Sequence, residues 1–268
     1  MNAPPRILCI AGSDSSGGAG IQADIKTIAM LGGYAMTAIT AVTAQNTVGV
    51  QAIAPMSGDM VAEQIRSCLG DLGVDAVKIG MLHDTEIVAA VADGLAPLHG
   101  SGVPIVLDPV MIASSGATLI AEDAIAAMKD RLFPIATILT PNLPELEHLA
   151  GRTLRDTDEI TAAALILADE FGSHVLAKGG HTEDDRVIDL LIGPGDTRAA
   201  AFDDPRIETR HTHGTGCTLS SAIATLLGHR QPLEHSVRLS RQFVRRAMVA
   251  APGFGAGHGP LGHQAVRG

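Results

Sequence analysis

The sequence predicts an α/β protein built on a mostly parallel, doubly wound sheet. Short aliphatic runs alternate with stretches of helical periodicity along the chain, as in proteins whose strands are joined by crossover helices. Hydrophobic residues make up 46% of the 268 residues and aromatic residues only 2%, so the core must be aliphatic. Because no linker, composition break or internal repeat divides the chain, residues 1–268 are predicted to form a single domain.

Six aliphatic runs predict the strands of this sheet. The first, RILCIA, leads directly into a glycine-rich turn, and the second is rich in Thr, Val and Ile, which favour strands. Each later run is followed within two residues by Gly, Asp, Pro or Lys. The predicted strands cover residues 6–11, 34–44, 76–79, 105–107, 137–139 and 175–177.

Between these runs, apolar residues recur at the spacing of helices. In the first helix Ile21, Ile25 and Ile28 share one face, and Gly32-Gly33 ends it. The later predicted helices cover residues 60–69, 85–95, 121–132, 161–170, 218–227 and 233–250. Residues 187–192 and 197–202 flank a Gly-Pro-Gly turn and are predicted to pair as antiparallel strands, whereas the glycine-rich stretch 253–259 is predicted to be irregular.

Charge and composition exclude several classes of function. The net charge of −10 and the shortage of aromatic side chains argue against a nucleic-acid partner. The richest apolar run, residues 160–168, is too short to span a membrane, and Asp14 interrupts the N-terminal apolar run too early for a signal peptide. Three cysteines without a CxxC pair predict neither disulfides nor a thiolate metal site. We therefore expect a soluble cytoplasmic protein.

The first candidate ligand loop is AGSDSSGGAG, directly after the first strand. Glycines allow a backbone to approach a ligand closely, and ligands of open α/β sheets collect at the carboxyl ends of strands. The loop lacks GK[ST] and GxGxxG, so a tight strand-to-helix turn explains it equally well. Asp24 lies one turn into the following helix, away from the isoleucine face, where an exposed acid is the simplest interpretation.

Two acids and one lysine follow later strands. Asp108 stands directly after an aliphatic run, and Glu145 lies at a predicted helix start, where stabilisation of the helix dipole is an alternative role. Two carboxylates with substrate phosphates are a typical magnesium site. Lys178 ends another run, where it could meet phosphate or simply face solvent.

The segment HTHGTGC, residues 211–217, opens a predicted helix with small residues. Free N–H groups at the positive end of a helix dipole bind anions and can stabilise a transferring phosphoryl group. The same position should lower the pKa of Cys217, which suits a proton acceptor. A buried, inert cysteine is the alternative.

In combination, the motifs AGSDSSGGAGIQADIKT, TAQNT, KIGM, LDPVM, TPNLPE, KGGH and HGTGC resemble the bacterial hydroxymethylpyrimidine/phosphomethylpyrimidine kinases of thiamine biosynthesis. The resemblance covers nearly the whole chain. It implies a three-layer α/β/α, ribokinase-like fold and the use of ATP with Mg²⁺. It also implies phosphorylation of 4-amino-5-hydroxymethyl-2-methylpyrimidine and then of its monophosphate, by a homodimer.

The resemblance also assigns roles to individual positions. Gln45 matches the residue that reads the amino edge of the pyrimidine, a role that suits an amide. Other positions match by function: the substrate pocket (Gly12, Ala19, Asp24, Met81), the anion hole (Gly214, Thr215, Gly216), the catalytic base (Cys217), the phosphate contact (Lys178) and the acids around Mg²⁺ (Asp108, Glu145).

The sequence leaves three other functions open. A pyridoxal or pyridoxine kinase, or a kinase acting on both B6 vitamers and the pyrimidine, is a close relative of the implied enzyme. A protein that binds the pyrimidine without turnover would not need Cys217, Lys178 and Glu145 together. A nicotinamide oxidoreductase lacks its glycine fingerprint.

Overall fold

The computed structural model describes residues 3–111, 120–180 and 185–266, which form a nine-stranded sheet with helices on both faces. The strands are β1 (Arg6–Asp14), β2 (Tyr34–Gln45), β3 (Val50–Pro55), β4 (Ala76–Ile79), β5 (Ile105–Leu107), β6 (Ile138–Leu139), β7 (His174–Ala177), β8 (Arg186–Ile192) and β9 (Ala200–Pro205). The helices are α1 (Gly20–Met30), α2 (Gly58–Ser67), α3 (Thr85–Leu95), α4 (Glu122–Arg131), α5 (Leu143–Ala150), α6 (Thr157–Phe171), α7 (Thr215–Gly228) and α8 (Leu233–Val249).

The strand order across the sheet is β3-β2-β1-β4-β5-β6-β7-β8-β9. The pairs from β2 to β7 are all parallel, and β3, β8 and β9 add antiparallel pairs at the two edges. The predicted mostly parallel sheet is therefore confirmed, as is the antiparallel pair late in the chain. The chain reverses its direction of progress between β1 and β4, the kind of switch point where α/β sheets bind ligands.

Alternation along the strands separates two cores and gives three layers. In β1, Leu8 and Ile10 pack toward the face covered by α2 to α6, whereas Ile7 and Cys9 pack toward α1, α7 and α8. Strands covered on both faces need apolar residues at every position, which explains the unbroken aliphatic runs in the sequence. No helix within the described ranges combines the length and apolar character needed to cross a membrane.

Strand β3 was not predicted. Its residues are largely exposed at the sheet edge, so the segment VQAIAP carries no clear alternation of buried and exposed apolar positions. Two boundaries also differ near the site. Strand β1 continues to Asp14 rather than ending at residue 11, and α7 begins at Thr215 rather than 218, because Gly214 adopts a left-handed conformation as its N-cap.

The C-terminal segment packs back onto the start of α7. His263 is buried, and its Nε2 lies 2.8 Å from Oγ1 of Thr218 in the first turn of α7. Upstream, the amide of His258 donates to the carbonyl of Thr47 at 2.9 Å, on the loop after β2. The segment thus joins the loop after β2 to the helix that carries the HTHGTGC motif.

Protonation of His263 should release this packing. Burial and the nearby Lys26 lower the pKa of His263 from 6.5 to about 4. The unfolded chain therefore takes up this proton at a higher pH than the folded chain, and stability falls as pH drops from 6.5 toward 4. Full loss of this contribution is worth roughly 3 kcal/mol. In denaturant titrations across this range, His263→Gln should show a shallower fall in unfolding free energy than the native sequence; parallel falls would contradict the assignment.

Candidate active site

The carboxyl ends of the central strands and the start of α7 surround a cavity of about 740 Å³. It lies at the switch point of the sheet, and a cavity of this size accommodates a nucleotide and a small acceptor. Of the twelve predicted site residues, all except Asp24 line it: Gly12, Ala19, Gln45, Met81, Asp108, Glu145, Lys178, Gly214, Thr215, Gly216 and Cys217. The predicted loops therefore converge on one site.

The glycine-rich loop after β1 is held by a single carboxylate. Asp14 accepts hydrogen bonds from the backbone N–H groups of Ser16, Gly18 and Ala19 and lies 2.8 Å from Nε2 of His213. Burial alone would raise the pKa of Asp14, but the hydrogen bonds from His213 and its own loop bring it down to about 2. The loop is therefore a pinned turn whose glycines allow close packing against the HTHGTGC motif.

One side of the cavity is formed by residues at the carboxyl ends of β1 and β2. Gly12 packs against Met81 so closely that an added Cβ would lie 2.5 Å from the methionine Cε. Gln45 is half-buried at the end of β2, where Oγ1 of Thr43 donates to its Oε1 at 3.1 Å. Ser15 and Gln45 exchange two further hydrogen bonds between side chain and backbone. The amide of Gln45 is thus oriented at the cavity wall.

The start of α7 forms an anion-binding end. Its N-cap, Gly214, has φ +87° and provides no side-chain cap. The Thr215 N–H group donates to the Thr212 carbonyl at 3.2 Å, whereas the N–H groups of Gly214 and Gly216 point to no protein acceptor in the described residues and can meet an anion. A Cβ at Gly214 would lie 1.9 Å from the carbonyl oxygen of Gly18. Only glycine therefore allows the two loops to meet in this way.

Cys217 borders the cavity directly after Gly216 and is partly exposed. The predicted lowering of its pKa is wrong. Burial raises the pKa of Cys217 to about 11, and the carboxylates of Asp24 and Asp108 act in the same direction, against the lowering effect of Lys78 and the Gly20 N–H group. Desolvation and neighbouring negative charge outweigh the helix dipole here.

Lys178 and the two predicted acids form one cluster. Nζ of Lys178 lies 2.7 Å from Oδ1 of Asp108, which also accepts from Oγ1 of Thr140 at 2.9 Å. Burial disfavours the ammonium, yet Asp108 and Glu145 hold the pKa of Lys178 above its ordinary value. Burial raises the pKa of Glu145 to about 7, with Lys178 opposing and Asp108 reinforcing the rise. Lys178 is therefore a largely buried cation at the cavity, with 12% of its side chain exposed, rather than a solvated side chain.

The donor set of this cluster fits Mg²⁺. Asp108 and Glu145 offer hard carboxylate oxygens, and Mg²⁺ commonly binds one or two carboxylates together with substrate phosphates and water. Among the described residues no three His, Cys, Asp or Glu side chains form a metal cluster by themselves. Glu145 also caps α5, because its side chain accepts from the Asn142 N–H group at 2.8 Å. The helix-start role considered from the sequence and a metal role are thus compatible.

Asp24 corrects the sequence interpretation. It is fully buried rather than exposed, and it is absent from the cavity lining. Both carboxylate oxygens lie 3.0 Å from Nζ of Lys78, and Ser221 donates to one of them at 2.6 Å. A direct substrate contact by Asp24 is therefore not supported.

Several residues at the site were missed from the sequence. His213, Asp14 and Lys78 pair across long sequence separations, which no local pattern reveals. Asp189 accepts from the Gly179 N–H group at 2.6 Å and thereby holds the loop after Lys178. His181, the last residue of the KGGH motif, lies outside the described residues.

Comparison with known proteins gives a consistent family. The sequence profile described as phosphomethylpyrimidine kinase matches residues 14–262. A hydroxymethylpyrimidine/phosphomethylpyrimidine kinase of Streptomyces coelicolor is 45% identical over 262 residues, covering 97% of this chain and 94% of that protein. The thiamine biosynthesis bifunctional protein ThiED of Geobacter sulfurreducens is 43% identical over 260 residues, covering 96% of this chain. This chain spans about half the length of that protein, 52%.

Solved structures share the fold. The phosphomethylpyrimidine kinase of Clostridium difficile superposes with a TM-score of 0.78 at 36% identity, covering 91% of this chain and 99% of that one. The pyridoxal kinase of Bacillus subtilis, solved as an ADP complex, superposes with a TM-score of 0.88 at 30% identity, covering 98% of both chains. These neighbours confirm the ribokinase-like, three-layer fold that the motifs implied.

Proposed function

The chain belongs to the phosphomethylpyrimidine kinase family and is a kinase, and we propose that it phosphorylates 4-amino-5-hydroxymethyl-2-methylpyrimidine from ATP. In a second reaction at the same site, the enzyme phosphorylates the resulting monophosphate to the diphosphate. Both reactions belong to thiamine biosynthesis. The observation that carries this proposal is the convergence, in one cavity, of Gln45, the uncapped start of α7, Cys217 and Lys178.

The parts required for phosphoryl transfer surround the cavity. Phosphoryl transfer depends mainly on positioning and on stabilising charge. The N–H groups of Gly214 and Gly216, on either side of Thr215, would receive the transferring phosphoryl group, and Lys178 would neutralise phosphate charge beside it. Asp108 and Glu145 would hold Mg²⁺, which supplies charge neutralisation on the phosphates when bound.

Cys217 is proposed as the proton acceptor. Its thiolate removes the hydroxyl proton while the hydroxyl oxygen bonds to the γ-phosphorus and the bond from that phosphorus to the ADP oxygen breaks. In the second reaction a phosphate oxygen of the monophosphate is the attacking atom. The nearby Lys178 offers the positive charge that such an anionic acceptor requires.

The strand order separates the two substrates. Gly12 and Gln45 stand at β1 and β2, whereas Lys178 follows β7 on the other side of α7. We assign the pyrimidine to the first side and ATP to the second. Apolar residues of β8, α7 and α8 line the cavity on the second side and would accept the adenine: Val187, Leu219, Val244 and Met248.

Two further expectations belong to this proposal. A homodimer fits the exposed apolar side chains of Tyr34, Val42 and Val48 around the β2–β3 edge, and sedimentation of the purified protein tests it. A cytoplasmic location would supply ATP to the enzyme, and cell fractionation tests that.

Pyridoxal phosphorylation is the second candidate function, because a pyridoxal kinase superposes over nearly the whole chain. The discriminating experiment measures kcat/KM for the pyrimidine alcohol, its monophosphate and pyridoxal with the same preparation, ATP and Mg²⁺. We expect the pyrimidine value to exceed the pyridoxal value at least tenfold, about 1.4 kcal/mol of preference. A higher value for pyridoxal would replace the proposed function.

Gln45→Ala should weaken acceptor binding more than catalysis. Loss of the amide removes hydrogen bonds to the pyrimidine edge, so the pyrimidine KM should rise about tenfold or more while kcat and the ATP KM change little. Gln51→Ala is the matched control, because Gln51 lies on neighbouring β3. Within the described ranges its side chain donates only to the Gly49 carbonyl. An unchanged pyrimidine KM in Gln45→Ala would remove Gln45 from the acceptor site.

A further inference from the structure

A buried ion pair lies beneath the cavity, outside the residues that line it. Lys78 and Asp24 both have fully buried side chains, and Nζ lies 3.0 Å from each carboxylate oxygen. Replacing a buried ion pair with apolar residues of similar volume is often neutral or stabilising, so packing alone does not explain the pair. The two charges of this pair therefore need a role beyond packing.

The pair is connected to the helix that carries Cys217. Ser221 donates from Oγ to Asp24 at 2.6 Å, and it lies four residues after Cys217 on α7. Residues four apart lie on the same face of a helix, so Ser221 is one turn below Cys217. Asp24 is thus anchored to α7 as well as to α1.

The ammonium of Lys78 reaches toward the carboxyl end of β4, where the cavity lies. A Cβ at Gly80 would lie 2.8 Å from Nζ of Lys78, which shows that the side chain extends along the strand past residue 79. Lys78 pairs in register with Cys9 of β1, on the sheet face covered by α1 and α7. Both recorded hydrogen bonds of Nζ within the described residues go to Asp24, and an ammonium has three N–H donors.

We propose that Lys78 is a positioning residue for the reaction: held by Asp24 and Ser221 beneath Cys217, it places a fixed positive charge that stabilises the thiolate form of Cys217. This inference rests on the proposed role of Cys217 and adds what makes a partly buried thiol usable as a base. Asp24 then has a supporting role, since its two carboxylate oxygens hold the ammonium of Lys78 in place.

The electrostatics agree with this arrangement. Burial disfavours the ammonium, yet Asp24 and the neighbouring thiols and carboxylate hold the pKa of Lys78 well above its ordinary value. Of the charged groups that act on Cys217, Lys78 has the largest effect and lowers the thiol pKa, whereas Asp24 and Asp108 raise it. The ammonium of Lys178 also lies near the start of α7, because a Cβ at Gly216, next to Cys217, would lie 3.5 Å from its Nζ.

The test measures the Cys217 thiol directly, without any substrate. In a Cys9→Ala/Cys68→Ala background Cys217 is the remaining cysteine, and its thiolate absorbance is titrated with pH. Lys78→Met should raise the pKa of Cys217, so that the thiolate fraction near neutral pH falls about tenfold or more. Asp24→Asn should lower the pKa of Cys217, because the carboxylate that opposes Lys78 is gone while Asp108 still favours the charged form of Lys78. In the double variant Lys78→Met/Asp24→Asn, the pKa of Cys217 should lie between its values in the background protein and in Lys78→Met.

Kinase activity provides a second readout. Lys78→Met should lower kcat at least tenfold near neutral pH, with the pyrimidine KM nearly unchanged and part of the loss recovered at higher pH. Arg6→Met is the matched control, because it breaks a partly exposed Arg6–Asp75 pair at the opposite end of β1.

The order of the Cys217 pKa values among these variants tests the proposal. If Lys78 serves only to pair with Asp24, the charge-neutral double variant will titrate like the background protein, and the proposal is overturned. Should Lys78→Met fail to fold, Asp24→Asn and the double variant must still lie on opposite sides of the background, or the proposal is wrong. Because the titration uses no ATP or pyrimidine, it stays readable even if the proposed kinase substrate is incorrect.

Discussion

Replacing Cys217 with alanine is expected to lower kcat by about 10²- to 10⁴-fold, the usual contribution of a positioned general base. The pyrimidine KM should change little, because the proposed acceptor contacts lie at Gln45 and the β1–β2 side of the cavity. The native kcat should also rise with pH through the neutral range, since a thiol with a pKa of about 11 has only a small thiolate fraction there. Steady-state kinetics at several pH values measure both effects.

Cys68→Ala is the control for this experiment. Cys68 is also partly buried, but it lies in a helical turn after α2 and does not line the cavity. Its variant should keep the native kcat and pH profile. A Cys217→Ala enzyme with normal kcat and a greatly raised pyrimidine KM would make Cys217 part of the pocket wall and not the base.

Gly214→Ala is expected to lower kcat about 10²-fold or more by deforming the anion-binding start of α7. Alanine would meet the Gly18 carbonyl oxygen at 1.9 Å and would hold a side chain at φ +87°. Asp14 restrains the Gly18 loop through hydrogen bonds to its N–H groups, including that of Gly18 at 3.1 Å. We therefore expect the α7 start to shift, and the proposed donors to the phosphoryl group to shift with it.

Gly172→Ala separates backbone strain from loss of the anion site. Gly172 has φ +67° at the end of α6, but nothing within the described residues lies within 4 Å of an added Cβ. Both variants should lose about 1–3 kcal/mol of unfolding free energy, and only Gly214→Ala should lose catalysis. Equal kcat losses would show that Gly214 has no special part in catalysis.

Much of the fold could be predicted because aliphatic runs and glycines are local signals. Strand β4 and helix α3 have the predicted bounds, since strong periodicity and clear stop residues coincide there. Strand β3 could not be found, because an exposed edge strand has little apolar alternation to show. The start of α7 was misplaced, because a left-handed glycine begins the helix earlier than its apolar face indicates.

The site could be predicted as a set of loops but not as an electrostatic unit. Gly12 lies near the carboxyl end of β1, Lys178 follows β7 and Cys217 lies in the first turn of α7, and topology alone brings such positions to one edge. The Lys78–Asp24 pair was missed because a lysine inside a strand and an acid off a helix face each appear ordinary alone. The pKa of Cys217 was misjudged for the same reason: the helix dipole is visible in sequence, whereas burial and the carboxylates of Asp24 and Asp108 are not.

The time course of products from the pyrimidine alcohol tests whether this protein catalyses both phosphorylations. Purified native protein and Cys217→Ala are incubated with ATP, Mg²⁺ and 4-amino-5-hydroxymethyl-2-methylpyrimidine, and the mono- and diphosphate are quantified by mass spectrometry. We predict that the native protein forms the monophosphate first and then the diphosphate. Cys217→Ala should accumulate little of either product, because the slowed first reaction supplies no monophosphate for the second. Tight pyrimidine binding with neither product formed by the native protein would contradict the proposed kinase activity toward the pyrimidine.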